Sequence, residues 1–375
     1  MFRNCFAVAA SAFLLTAAFA QQPAAPAAGT QPTGARPAPA PLQVPNPHYV
    51  SLPMSIDVNA PVDRVWARVG KYCDAGEWFS NNGTNTCRII SGTDGEFGAI
   101  RSMGNEVLVG RTKYSYTYAE PPRTGVTYDL YHGTLEAVPL TAATTRVNYT
   151  LFFDDSLLAD GAARDAYFTQ RRARFTQALA NMKILAEGGT LPPAPARPAR
   201  TAGGPSPAPF LSPEPHYVSI PMTIEVNEPV DKVWARIGKY CDIGEWGIPG
   251  CKLISGTDGG YGAVRTIGNE VLVGKTRYSY VYTQPLRVRG TYILYHGTLE
   301  ARAITPTTTQ IDYTLLYDNS GLADDAAREA DMKNRRTRFT GMLTNMKILC
   351  EGGALPPGSV GGAPGNGAAP APAPR

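Results

Sequence analysis

The nonapeptide GKYCDAGEW at 70–78 returns as GKYCDIGEW at 238–246, 168 positions later. What flanks it rules out coincidence. Residues 48–78 match 216–246 at 24 of 31 positions, and 87–136 match 251–300 at 33 of 50. The offset falls from 168 to 164 between the blocks, so the first copy carries four extra residues in the FSNNGTNT stretch. Each copy spans about 140 residues, enough for one hydrophobic core. The pattern is a tandem duplication of whole domains, 48–187 and 214–352, not an array of short repeats.

The cysteine inside the nonapeptide has a companion in each copy, Cys73 with Cys87 and Cys241 with Cys251. The length change lies between the members of each pair, as expected if a bond fixes the ends of a loop whose interior drifts. Two disulfides are expected, each adding about 3 kcal/mol in the chain-entropy model. A metal site is not expected, because no further ligands stand near either pair in sequence. Cys350, with Ala186 as its counterpart, is expected to be a buried thiol at a helix end.

The chain begins with Arg3 in a short polar start, the apolar run FAVAASAFLLTAAFA, and Ala18-Phe19-Ala20 before Gln21. This reads as a cleavable export signal over 1–20, cut after Ala20. The run is short for a membrane span, and none is expected in the mature chain. Stretches 21–47, 188–213 and 353–375 are rich in Pro, Ala and Gly and read as linkers and a tail without a core. Together these features suggest a periplasmic or secreted bacterial envelope protein. Net charge is +4 with no basic block, which argues against a nucleic-acid partner.

Each copy opens with an alternating strand, VSLPMSIDVN in the first. PVDRVWARVGKY follows with Pro61 at a helix start, then a short helical piece ending at Trp78. Gly-punctuated strand patterns come next. The copy closes on a helix whose apolar face carries Phe168, Phe175, Leu179 and Met182, matched by Met332, Phe339, Leu343 and Met346. Connections this short fit only an antiparallel sheet. The expected class is α+β: a helix-grip fold, a seven-stranded antiparallel sheet around a long C-terminal helix, in two copies.

The order of elements, the APVDRVWARVGKYCDAGEW passage, the GAIR turn, YHGTLEA and TTRVNYTLFF resemble the START-like, or SRPBCC, superfamily of polyketide cyclase/dehydrase and lipid-transport domains. The resemblance spans both copies. It implies a cavity between sheet and helix, and it names no universal catalytic residue.

Tyr114, Tyr116 and Tyr118 alternate along one strand, as do Tyr278, Tyr280 and Tyr282. The resemblance implies that this face points inward and lines a ligand cavity, with Tyr131, Tyr149, Tyr295 and Tyr313 beside it. Arg101 and Arg265 could hold a ligand carboxylate, or could instead bridge Glu106 and Glu270. His132 and His296 are weak candidates for general acid or base. Each lies about 13 Å along its strand from Glu136 or Glu300, so spacing forms no dyad. No nucleophile elbow, zinc-protease, phosphate-loop or dinucleotide motif occurs, and no cofactor is expected. The leading expectation is an exported carrier for a small hydrophobic molecule, lipid, sterol-like or polyketide-like, and not an enzyme. The alternatives are a cyclase/dehydrase-like enzyme using a strand histidine, and an envelope structural or adaptor module with filled cores and an envelope partner.

Overall fold

The computed structural model describes residues 40–80, 86–125, 129–158, 160–192 and 208–361. The expected signal segment, most of the first linker and the end of the tail lie outside the described residues. In the first copy β1 (Tyr49–Val58) leads into α1 (Val62–Val69) and α2 (Ala75–Trp78). Then come β2 (Ile89–Ser91), β3 (Ile100–Arg101), β4 (Val107–Thr112), β5 (Ser115–Ala119), β6 (His132–Pro139), β7 (Thr145–Asp154) and the long α3 (Ala162–Ala186). The second copy repeats this with β8 (Tyr217–Val226), α4 (Val230–Ile237), α5 (Ile243–Trp246), β9 (Leu253–Ser255) and β10 (Val264–Arg265). It continues with β11 (Val271–Thr276), β12 (Ser279–Thr283), β13 (Ile293–Thr305), β14 (Thr308–Asp318) and α6 (Asp325–Cys350).

Both sheets are seven-stranded and antiparallel, ordered β1-β7-β6-β5-β4-β3-β2 and β8-β14-β13-β12-β11-β10-β9. The first strand thus closes against the last, with Tyr49 opposite Asp154 and Val58 opposite Thr145. This is the expected helix-grip architecture. On α3 the buried positions Phe175, Ala178, Leu179, Met182, Leu185 and Ala186 step by three and four, giving one apolar stripe against the sheet's inner face. Gly188, at φ +92°, follows the helix end, as the Gly188-Gly189 pair suggested.

The nonapeptide locks its copy together. Its tyrosine carbonyl accepts from Arg101 Nη1 at 2.8 Å, and its glutamate forms a paired ion bridge to Arg68 at 2.8 and 2.7 Å. Its last carbonyl, on Trp78, accepts from Asn181 Nδ2 of α3 at 2.9 Å. The copy-two equivalents are Arg265 to Tyr240 at 2.7 Å, Arg236 with Glu245 at 2.7 Å, and Asn345 to Trp246 at 3.0 Å. Both expected disulfides are formed, Cys73–Cys87 and Cys241–Cys251, with Cα separations of 5.3 and 5.4 Å. Cys350 is free and buried.

The outer faces of the two sheets pack on each other. Val107, Val109, Ala119, Leu130 and Phe152 meet Val264, Val271, Val273, Val281, Leu294 and Leu316 in a third core shared by both copies. Gly110 and Gly274 make the approach possible. A Cβ on Gly110 would lie 2.5 Å from Val281 Cγ2, and one on Gly274 would lie 2.7 Å from Thr117 Oγ1.

The linker boundaries need correction. Leu42 pairs with Arg287, and Gln43 N–H donates to Leu286 at 2.8 Å, so residues before the first copy bind a loop of the second. Reciprocally, Phe210 pairs with Arg123 and Leu211 N–H donates to Pro122 at 2.8 Å. The Arg123 guanidinium sits 4.1 Å over the Phe210 ring. Prolines keep these leaders extended, and extended backbone can pair with an exposed loop edge. Residues 40–43 and 208–211, read as linker, thus pair with loops of the opposite copy. The two leaders are alike in sequence, APLQVPNPHYVS and APFLSPEPHYVS.

Candidate functional site

Strand alternation decides which side chains face the helix. Along β5, Tyr116 and Tyr118 point inward and are fully buried, while Ser115, Thr117 and Ala119 point to the other sheet. Tyr114 and Tyr278 are corrections: each stands at the rim, donating its hydroxyl to Asp63 and Asp231 respectively. These two immediately precede their strands, and Tyr278 still packs against the edge of the second core. Tyr131, Tyr149, Tyr295 and Tyr313 are buried inside their grips, as are Tyr280 and Tyr282.

Arg101 is fully buried at the centre of the first grip. Its Nε donates to Glu106 at 2.5 Å, and its guanidinium lies over the rings of Tyr72 at 4.4 Å and Tyr118 at 4.6 Å. Arg265 repeats this with Glu270 at 2.7 Å, over Tyr240 at 4.3 Å and Tyr282 at 4.6 Å. Each arginine points inward and is bound to its glutamate, the salt-bridge alternative. Tyr149 Oη donates to Tyr118 at 3.0 Å, and the Tyr282 and Tyr313 hydroxyls are 2.8 Å apart. Burial pushes the Tyr116 and Tyr280 hydroxyls up to about 12, so both stay protonated.

The open hollow expected in each grip is filled by these side chains. Tyrosines long enough to cross the space, and an arginine tethered to Tyr72 and Glu106, occupy the volume. A cavity of about 10 Å³ lies under the leader at Gln43, Tyr49 and Leu286. An open groove of about 480 Å³ runs along the outside of α3 past Phe168, Arg172 and Thr176. Neither is inside a grip.

Filling is incomplete in one chemical respect. The Tyr72 and Tyr116 hydroxyls and Trp78 Nε1 are buried without a hydrogen-bond partner among the described residues, and so are the Tyr240 and Tyr280 hydroxyls and Trp246 Nε1. A buried donor left unpaired costs about 1–3 kcal/mol. The same three donors are orphaned in both copies.

His132 and His296 face away from the grips. They are fully buried between the sheets, with their Nε2 atoms 2.8 Å apart. Nδ1 of each lies against a carbonyl, Leu130 at 2.7 Å and Leu294 at 2.9 Å. Burial holds both rings below the usual imidazole range, His296 at about 4. They cannot touch a molecule held between sheet and helix, which removes the acid–base role considered for them. His48 closes the start of β1 against Asp155, and His216 does the same against Asn319.

The sequence reading passed over Tyr72, Trp78, Asn181 and their counterparts. An asparagine within the apolar stripe of both long helices, LANMK and LTNMK, was the available signal for one of them. No group of acidic, histidine or cysteine side chains among the described residues could hold a metal.

Residues 49–187 match the family described as polyketide cyclase / dehydrase and lipid transport. That match covers the first copy, and the second repeats its strand order and much of its sequence. No curated protein is close enough to match. Among solved structures, the chain is similar to the di-domain ARO/CYC BexL from the BE-7585A biosynthetic pathway. Identity is 16%, covering 82% of this chain and 100% of that one, with a TM-score of 0.31. The di-domain ARO/CYC StfQ from the steffimycin pathway is 14% identical over 80% of this chain and 98% of its own, TM-score 0.30. The Zhui aromatase/cyclase from Streptomyces is 17% identical over 37% and 100%, TM-score 0.28.

Proposed function

We propose that the chain binds a small, mostly apolar molecule carrying an oxygen acceptor, held between sheet and long helix, as an exported carrier. The observation behind this is the repeated set of orphaned donors, the Tyr72 and Tyr116 hydroxyls with Trp78 Nε1 and the Tyr240 and Tyr280 hydroxyls with Trp246 Nε1. They lie in the same buried cores as Arg101 and Arg265. A carboxylate, carbonyl or hydroxyl oxygen would supply the missing partner, and the tyrosine rings would flank an apolar body. Admission requires the long helix to part from the sheet, because the side chains occupy the space at rest. The family match over residues 49–187 supports the reading. Two disulfides support an oxidising compartment. No helix among the described residues is long and apolar enough to cross a membrane.

The filled grips favour a second reading, an envelope module that works through its surface. Native mass spectrometry of full-length protein from a periplasmic extract separates the two. A bound mass lost on Tyr72→Phe or Trp78→Phe supports the carrier. Ligand-free protein, which also fails to bind the anionic fluorophore 1-anilinonaphthalene-8-sulfonate, supports the module. An enzyme reading would have to run on Arg101, Glu106 and the tyrosines, since the histidines are elsewhere.

A further inference from the structure

The two grips differ at one end, where the long helix meets the strands carrying Tyr131 and Tyr295. In the second copy Asp331 of α6 accepts from the Tyr292 hydroxyl at 2.7 Å, the Tyr317 hydroxyl at 2.6 Å and Arg335 Nε at 2.9 Å. Arg335 lies over the rings of Tyr292, Tyr295 and Tyr317 at 4.4, 5.1 and 4.7 Å, and its Nη1 donates to the Tyr295 hydroxyl at 3.3 Å. Helix and sheet are thus tied by charge-assisted bonds across the mouth, each stronger than a neutral one. Nearby, Gln284 Nε2 donates to Glu270 at 3.1 Å, so the last inward position beyond β12 is also bound.

Among its described residues the first copy shows none of these ties. Tyr167 stands in place of Asp331, Phe153 in place of Tyr317, and Glu120 in place of Gln284. Arg171 stacks on Tyr131 at 5.2 Å and Tyr167 at 4.9 Å with no carboxylate at the Asp331 position. The Glu120 carboxyl, half-buried and next inward after Tyr118, has no hydrogen bond or ion pair among the described residues. Burial and the neighbouring Glu106 push its carboxyl up to about 7. The helix starts differ too. Asp324 caps α6 by accepting from Ala327 N–H at 2.8 Å, whereas α3 starts after Gly161 with no side-chain cap.

We propose that the first copy is the ligand-accepting half and that the Asp331–Arg335–tyrosine cluster latches the second shut. This rests on the binding reading above and specifies its site: a mouth built from Glu120, Arg171, Tyr131 and Tyr167. That mouth suits an amphipathic molecule with a hydroxyl or acidic oxygen at its polar end. Glu120 in its acid form can donate to that oxygen, and Arg171 can pair with it.

Hydrogen exchange of the unliganded full-length chain tests the latch without any ligand. Amides in the first three turns of α6 should exchange at least about tenfold more slowly than those of α3, because local opening must break the cluster. Asp331→Asn should remove that difference. Equal protection in the two helices of the wild type overturns the latch. Titration with 1-anilinonaphthalene-8-sulfonate, counted by native mass spectrometry, tests the site. One equivalent is expected for wild type, two for Asp331→Asn, and none for the triple exchange Glu120→Gln, Phe153→Tyr, Tyr167→Asp. Two equivalents in wild type, or binding unaffected by the triple exchange, overturns the assignment. No binding by any variant removes the carrier reading, while the exchange data still judge the latch.

Discussion

The two copies keep one centre and diverge at one rim. Arg101 with Glu106 and Arg265 with Glu270 are superimposable in chemistry, down to the tyrosine carbonyl each arginine also holds. The mouths, by contrast, exchange an aspartate for a tyrosine, a tyrosine for a phenylalanine and a glutamine for a glutamate. A buried ion pair cannot lose one partner without exposing the other to a medium that does not solvate it. A rim position can change its chemistry without that penalty. Duplication therefore leaves the centre fixed and the rim free to specialise.

The largest effect should come from the centres. Arg101→Met and Arg265→Met each strand a buried glutamate and should cost about 3–5 kcal/mol in urea unfolding. Equal losses confirm equivalent centres, and a much cheaper Arg101→Met would show that the first grip already admits water. Removing a disulfide as a Cys→Ser pair should cost about 3 kcal/mol in either copy, since closed loops of 14 and 10 residues differ little in entropy. A wide gap between them would mean that one loop is held by other contacts.

The histidine pair breaks the comparison differently, because it belongs to both copies. The folded state holds the His296 ring neutral down to about 4, against about 6.5 in the unfolded chain. Its contribution is complete above 6.5 and drains away as pH falls from 6.5 towards 4. His296→Gln should flatten that part of a stability–pH curve relative to wild type, and an unchanged slope would discount the pair. Glu300, pushed up to about 7 by burial and by Asp312, works in the opposite sense, losing stability as pH rises from 4.5 to 7. It is present in both proteins and cancels in the difference. The smallest effect should be at the surface. Asp57 and Arg146 pair at 2.7 Å in the first copy, where the second has Glu225 and Gln310. Arg146→Ala should leave the urea unfolding midpoint almost unmoved.

Fold and covalent links were legible because periodicity and repetition report them directly. Alternation along YSYTY put Tyr116 and Tyr118 on one face, which the family resemblance implied was the inner one, and the shifting offset around Cys73 and Cys87 announced their bond. The packed interiors were not legible. Whether a tyrosine lines a space or fills it depends on what stands opposite, and Arg101 meets Tyr72 from 29 positions away. The face shared by the sheets escaped for a similar reason. Val107, Val109 and Leu130 sit on the outer sides of their strands, and nothing local says that a second sheet covers them. The leaders were obscured by composition, since prolines suited to a linker also suit an extended brace.

Those leaders have a consequence for how the protein can be divided. Residues 40–43 grip the second copy and 208–211 grip the first, so each half lends the other a clasp. A polypeptide comprising 208–361 alone would carry a clasp with nothing to hold and a valine-rich flank open to water. Two such pieces could satisfy each other by the same embrace, which makes the duplicated chain the covalent form of a symmetric pair.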